Sequence, residues 1–265
     1  REPDIFDDQN VMIVGAGNSG CDLAVDAAAR AENVYLSMRR GYHIVPKYIF
    51  GIPAADFGAG ASALQLPSWA KQKVDRWFLD KITIDPQEHG WPEPDHELYE
   101  SHPVVNSQIL EDLGHGRIEV VPDVERLDGE EVVFSDGSRK DVDLVVYATG
   151  YELTLPFMDQ EHFQWEGGAP DLWMNIFHRE YDDLFVIGLI ESDGGGFQIR
   201  AWQGQMVAKF IRAQQEGSEK AEEFAEMKRG EEPDTSGGFD YEKSFYVNNY
   251  RYKELVSEMK EFFEG

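Results

Sequence analysis

The chain has 265 residues, 24 Lys and Arg against 51 Asp and Glu, and a formal net charge of −27; at 42% hydrophobic residues it can build a real core, in one large domain or two of roughly 100–200 residues. So acidic a surface repels phosphate backbones and anionic lipid, so no nucleic-acid partner and no membrane partner is expected. The single cysteine, Cys21, excludes an intramolecular disulfide framework, a Cys-rich metal site and a CxxC redox centre.

The chain opens at Arg1-Glu2-Pro3 rather than at Met, so it is expected to be part of something longer. No signal peptide opens it and no apolar run reaches about 18 residues, which leads to the expectation of a cytoplasmic location. Residues 4–10 are a polar lead-in. Val11-Met12-Ile13-Val14 is a short apolar run ending at glycine, the pattern of a buried parallel strand. Gly15-Ala16-Gly17-Asn18-Ser19-Gly20 follows, and Leu23, Ala24, Ala27 and Ala28 then recur at helical spacing. Residues 34–38 read as a second strand, completing one βαβ unit.

Residues 41–63, rich in Gly, Ala and Pro, read as loop. Pro67 is expected to open a helix whose apolar face is Trp69, Val74, Trp77 and Phe78. Residues 84–103 read as loop and 104–113 as a helix stopping at Gly114. Four short strands are expected at 118–121, 124–127, 132–135 and 142–147, with Asp128-Gly129 and Asp136-Gly137 as tight hairpin turns. After Gly150 the pattern predicts a strand at 184–187, a glycine loop at 194–196 and a helix over 198–215. A short charged helix at 221–227, a linker at 231–238 and a terminal helix over 246–263 complete the chain. The run 216–232 reads as a solvated tail.

The G-x-G-x-x-G at Gly15, Gly17 and Gly20 lies between a strand and a helix, the context dinucleotide binding requires. The first glycine makes the tight turn, the second lets a pyrophosphate approach the backbone, and the third allows close helix–strand packing. The helix N-terminus offers the phosphates unpaired N–H groups and a positive dipole end. A purely structural glycine turn is the competing reading. The choice of dinucleotide follows from the end of the second strand, where an acid suits NAD and Arg suits NADP. That segment reads Ser37-Met38-Arg39-Arg40-Gly41, with no carboxylate. Two adjacent arginines in a chain with only 13 favour a 2′-phosphate; a surface pair offsetting local acid is the alternative.

Residues 11–24, through Gly15-Ala16-Gly17-Asn18-Ser19-Gly20-Cys21-Asp22-Leu23-Ala24, resemble the NADPH-binding motif of the flavin-containing monooxygenases. Residues 143–151, ending Ala148-Thr149-Gly150-Tyr151, resemble that family's ATGY signature. Leu36-Ser37-Met38-Arg39 and Gln198-Ile199-Arg200-Ala201-Trp202 fit as well, and all four stretches occur in the family's order. The related Baeyer–Villiger monooxygenases share part of the pattern. The family's first G-x-G-x-x-G, for FAD, and its F-x-G-x-x-x-H-x-x-x-F/Y motif do not precede the turn here, so the resemblance is to the second half of such an enzyme.

The resemblance implies an α/β fold: a Rossmann-like three-layer NADP-binding domain with a β-meander, plus the returning C-terminal part of an FAD-binding domain. It divides the chain into 1–147 (NADPH-binding, with an inserted loop and helix region), 148–212 (C-terminal segment of the FAD domain) and 213–265 (acidic helical tail). The implied cofactors are NADPH and FAD, the FAD site lying mostly in the absent half. In the family, NADPH reduces FAD, and a flavin C4a-hydroperoxide oxygenates a soft nucleophile such as an amine or sulfide. No acid–base residue carries over, because the flavin does the hard chemistry.

By the same resemblance, Gly15, Gly17, Asn18, Ser19 and Gly20 carry over to the NADP pyrophosphate, and Ser37, Arg39 and Arg40 to the 2′-phosphate and adenine side. Ala148, Thr149 and Gly150 join the two domains near both cofactors, and Gln198 opens a helix facing the flavin. The expected partners are a small-molecule substrate and, if it lies on another chain, the FAD-binding half; a homo-oligomer stays open. Alternatives are a stand-alone NADP-binding module and a Baeyer–Villiger enzyme acting on ketones. The chain by itself is expected to lack monooxygenase activity and to expose apolar residues after Gly150. The seven histidines are scattered without H-x-x-x-H spacing, so no metal site is expected.

Overall fold

A computed structural model describes residues 3–54, 67–166, 168–193, 196–242 and 245–264. They form two compact units: one from residues up to 54 together with 71–151, the other from 67–70 and the described residues from 152 onward. Part of the loop expected at 41–63, and Gly194 and Gly195 of the expected glycine loop, lie outside the described residues.

Counting strands of at least three residues, the first unit holds β1 (Asn10–Val14), β2 (Asn33–Ser37), β3 (Glu119–Val121), β4 (Val124–Asp128), β5 (Glu131–Phe134), β6 (Arg139–Asp141) and β7 (Leu144–Tyr147). Its helices are α1 (Asn18–Ala28), α2 (Ser68–Ile82, from Lys71 on) and α3 (Gln108–Gly114). The parallel sheet runs β7-β1-β2-β3, with Val11 opposite Val34 on one side and Leu144 on the other. An antiparallel meander, β4-β5-β6, stands apart from it.

Alternation along β1 builds the layers. Val11 and Ile13 pack with Val34, Leu36 and the α1 residues Cys21, Ala24 and Ala27. Met12 points the other way, into a cluster with Val121, Val132, Phe134 and Val142. Helices therefore cover one face of the sheet and the meander the other, giving the three-layer Rossmann-like arrangement expected. Each fully buried Val, Leu or Ile here contributes about 1.5–3 kcal/mol. The hairpin turns also match their chemistry. Gly129, at φ +68, is the first residue of the two-residue loop between Asp128 and Glu131. Asp136 accepts hydrogen bonds from the Ser138 hydroxyl at 2.6 Å and backbone N–H at 2.8 Å, which hold its carboxyl below the usual range.

The second unit is built on α4 (Gly196–Gln215), α5 (Glu219–Met227) and α6 (Asn249–Glu264). Phe177, Phe210 and Phe224 form its centre, with ring centroids 4.9 Å apart for Phe177–Phe224 and 4.8 Å for Phe210–Phe224. Tyr252, Leu255 and Val256 of α6 join that core. Lys228 is fully buried beside it. Its Nζ donates to the carbonyls of His178 (2.6 Å), Arg179 (3.0 Å) and Tyr181 (3.1 Å) and pairs with Asp182 at 2.9 Å.

Several expectations are corrected. The run 216–232 is no solvated tail, since Ala221, Phe224, Ala225 and Lys228 are all buried. The helices expected at 104–113 and 246–263 both start late. Val104–Val105 and Tyr246–Val247 first pair as two-residue parallel strands with Ile44–Val45 and Glu191–Ser192. An asparagine then accepts from the N–H three residues on, Asn106 from Ile109 and Asn248 from Arg251, each at 2.9 Å. Residues 184–187 do not form a strand. Phe185 makes an isolated bridge with Phe177, whose own strand is only two residues long.

On α2 the expected apolar face is the exposed one, Trp69 and Trp77 being 62% and 63% accessible. The inward stripe is Lys71, Asp75 and Leu79 at i, i+4 and i+8. Asp75 accepts from the Tyr99 hydroxyl at 2.8 Å and pairs with Lys71 at 2.7 Å, and Leu79 packs with Val45 and Leu98. β6, with its polar Arg-Lys-Asp sequence, carries no apolar signal and was not expected.

Candidate functional site

The glycine-rich turn leaves β1 and enters α1 with the three glycines in three different environments. Gly15 sits at φ +105, and its N–H donates to the Ser37 carbonyl of β2 at 2.9 Å. A Cβ there would stand 2.5 Å from the Ala148 carbonyl oxygen. A Cβ on Gly20 would stand 1.9 Å from the Gly15 carbonyl oxygen. Gly17, the N-cap of α1 at φ −71 and ψ −178, has nothing within 4 Å of its Cβ direction. Two glycines thus close the turn against the sheet, and the middle one faces open space.

The first backbone bond of α1 runs from Cys21 N–H to the Gly17 carbonyl at 3.0 Å, so the N–H groups of Asn18, Ser19 and Gly20 precede the helical ladder. Ser19 is exposed. The Asn18 side chain is committed elsewhere: it donates to the Pro103 carbonyl at 3.1 Å and accepts from Val105 N–H at 2.8 Å. One turn later Asp22 accepts from Asn106 at 2.8 Å. Two polar residues at i and i+4 on α1 therefore grip residues 103–106. Sequence reasoning missed this grip, although a polar pair at i and i+4 on one face of a helix is a readable signal.

At the end of β2, Ser37 is buried and its hydroxyl donates to the Pro122 carbonyl at 2.8 Å. The two arginines beyond it differ. Arg40 is half-buried, reaching Asp95 at 3.5 Å and Ser101 at 3.4 Å, with its guanidinium 5.1 Å from the Tyr42 ring centroid. Arg39 is exposed and makes no ion pair or hydrogen bond among the described residues. Ala148 N–H donates to Val14 O at 2.8 Å, which holds Ala148 beside the turn; Thr149 and Gly150 are exposed, Gly150 at φ +91.

Gln198 belongs to the second unit, exposed in the first turn of α4 next to Phe197, which is 93% accessible. Phe157 and Ile187 of that unit and Tyr151 of the first are also exposed. Cys21 lies one residue past the turn, fully buried, its thiol pushed up to about 12 by burial and then by the charge of Asp22. That outweighs any acidifying effect of the helix end, so Cys21 is a packing residue and no nucleophile.

No helix of the described residues is long and apolar enough to cross a membrane. A family model described as flavin-binding monooxygenase-like matches residues 1–263. The chain is 28% identical over 238 residues to flavin-containing monooxygenase 5 of Cavia porcellus, covering 88% of this chain and 44% of that protein. It is 29% identical over 210 residues to flavin-containing monooxygenase 1 of Oryctolagus cuniculus, covering 73% and 38%. The chain thus spans less than half the length of these curated relatives. Among solved structures, an oxidised steroid monooxygenase bound to NADP shares the fold at a TM-score of 0.63, with 16% identity over 98% of this chain and 66% of that one. An open cyclohexanone monooxygenase does so at 0.58, with 13% identity over 97% and 65%. On the match over nearly its whole length, the chain belongs to the flavin-binding monooxygenase-like family.

Proposed function

We propose that this chain is the NADPH-binding portion of an FAD-dependent monooxygenase that uses NADPH and O2 to oxygenate a soft nucleophile, an amine or a sulfide. The observation that carries the reading is the division of labour in the turn: Gly15 and Gly20 are packed where no side chain fits, and Gly17 opens to space at the start of α1. A pyrophosphate meets bare backbone there, with the N–H groups of Asn18, Ser19 and Gly20 as donors.

Arg39, exposed and unpaired among the described residues, would hold the 2′-phosphate as a charge-assisted donor. Ser37 and Arg40 support that end of the site through Pro122, Asp95 and Ser101 rather than by offering free groups. When bound, FAD supplies the oxygen-activating chemistry and NADPH the hydride. By the resemblance, Ala148, Thr149 and Gly150 are assigned near both cofactors, and Gln198 is assigned to the flavin. Only one strand–glycine turn–helix cradle is present among the described residues, so the FAD pyrophosphate is assigned to an FAD-binding half that these residues do not contain.

The test is a visible absorption spectrum of the purified chain with NADPH and NADH titrations on the same sample. A colourless protein that binds NADPH well above NADH, and oxygenates no substrate, is the expected result. Equal affinity for the two nucleotides would overturn the NADPH assignment. Robust NADPH oxidation with substrate oxygenation by this chain alone would overturn the division between halves.

A further inference from the structure

Arg39 lies just beyond β2, on a segment that has left the parallel sheet. On one side it is held by β2, where Met38 N–H donates to the Val121 carbonyl at 3.3 Å. On the other side residues 41–45 are held by residues 91–106. The Trp91 indole N–H donates to the Tyr42 carbonyl at 3.0 Å. Val104 N–H donates to the His43 carbonyl at 2.9 Å and Asn106 N–H to the Val45 carbonyl at 3.1 Å. Ile44–Val45 and Val104–Val105 pair in parallel between those last two bonds. Gly41 packs so closely that a Cβ on it would stand 1.9 Å from the Pro92 carbonyl oxygen.

Asn106 joins this second anchor to α1. It is buried, and three of its polar atoms are spent on three different elements. Its N–H goes to Val45, its side-chain amide donates to Asp22 of α1 at 2.8 Å, and its side-chain oxygen accepts from Ile109 N–H at 2.9 Å, capping α3. One turn earlier on α1, Asn18 grips Pro103 and Val105. The helix whose first N–H groups face the pyrophosphate and the segment that carries Arg39 are therefore tied to the same four residues, 103–106. Asp22 is exposed, and its N–H falls after the start of the helical ladder. As a carboxylate near a bound phosphate it would repel rather than bind. Its bond to Asn106 gives it a part that does not require contact with the nucleotide. A dinucleotide with a 2′-phosphate must meet two sites at a separation fixed by its own adenosine, and a misplacement of about 1 Å is costly.

We propose that Asn106, through its hydrogen bond to Asp22, is a positioning residue for nucleotide selectivity: it holds the Arg39 segment at a fixed separation from the pyrophosphate turn. The inference rests on the NADPH reading above. Asn106 acts through Val45 and α1 rather than by touching the nucleotide.

The experiment is paired NADPH and NADH titrations of the full chain, with a thermal melt of each variant to report that it is folded. Asp22→Ala removes the acceptor, leaves the α3 cap intact and changes an exposed side chain. Asn106→Ser drops the donor to Asp22 but keeps an oxygen to cap α3. Each is expected to weaken NADPH by roughly fivefold or more with NADH held within about twofold, and the double variant to be no worse than either single one. Asp22→Asn loses the charge but keeps the acceptor oxygen, and is expected to retain the wild-type ratio of the two affinities. Equal weakening of both nucleotides would show a merely structural role and overturn the inference. So would an unchanged ratio in Asp22→Ala and Asn106→Ser, or an Asp22→Asn protein as impaired as Asp22→Ala. In each of these cases a wild type that prefers NADPH leaves the nucleotide reading standing. Equal affinity for NADPH and NADH in the wild type would overturn that reading, and this inference with it.

Discussion

Gly20 approaches Gly15 so closely that a Cβ on Gly20 would lie 1.9 Å from the Gly15 carbonyl oxygen. The same addition at Gly17 would meet nothing within 4 Å, and Gly17's φ of −71 suits any residue. The two positions therefore separate folding from binding. Gly20→Ala is expected to lower thermal stability by several degrees, since helix and strand must part. Gly17→Ala is expected to leave the melting temperature unchanged and to weaken NADPH at least tenfold, by obstructing the pyrophosphate. Thermal melts and NADPH titrations of both variants check this; full NADPH affinity in Gly17→Ala would remove the turn from the site.

Arg39 and Arg40 are neighbours with different commitments. Arg39→Ala is expected to weaken NADPH by roughly tenfold or more while leaving NADH unchanged, the loss of a charge-assisted contact to a 2′-phosphate. Arg40→Ala is expected to have the smaller effect on that selectivity, because its guanidinium is already tied to Asp95 and Ser101. Paired nucleotide titrations decide; the reverse ranking would reassign the 2′-phosphate to Arg40.

Lys228 holds three carbonyls and Asp182 from a fully buried position. Lys228→Met keeps the apolar stem but leaves those acceptors unsatisfied, and is expected to cost roughly 3–5 kcal/mol in urea denaturation. Asp182 is affected by burial, which raises its pKa, but the hydrogen bond and charge of Lys228 overcome that and hold it low. Its contribution is accordingly present above the ordinary carboxylate range and lost as pH falls through the lowered value. An Asp182→Asn protein should lose this part of the acid sensitivity.

His43 supplies a second, higher window. Burial lowers its pKa from the ordinary 6.5. The folded state then binds fewer protons than the unfolded state, so stability is fully present above 6.5 and declines as pH falls through that value. Denaturation midpoints measured from about pH 8 down to about pH 5 should show that decline in the wild type and a flatter profile in His43→Gln. Identical profiles would mean that His43 binds protons equally in the folded and unfolded states.

The glycine turn, the parallel strands on either side of it and the Arg-rich end of β2 were all legible in the sequence. So were the glycine turns of the meander. Each depends on stereochemistry that acts within a few residues: a positive φ at Gly15 and Gly129, an apolar run at Val11–Val14, a missing side chain at Gly17. Helix starts at 108 and 249 were harder, because asparagine caps and two-residue strands paired with distant segments displaced them.

The tertiary structure alone decided which of these residues are available. Arg40 looks like Arg39 in the sequence until Asp95 and Ser101, more than fifty positions away, take up its guanidinium. Asn18 reads as a phosphate-loop residue until Pro103 and Val105 claim its side chain. The acidic run 216–232 reads as solvated until Phe224 meets Phe177 and Phe210. Local sequence determines backbone conformation, since the sterics are local; partner choice depends on contacts between segments far apart in the chain, and no local pattern carries those.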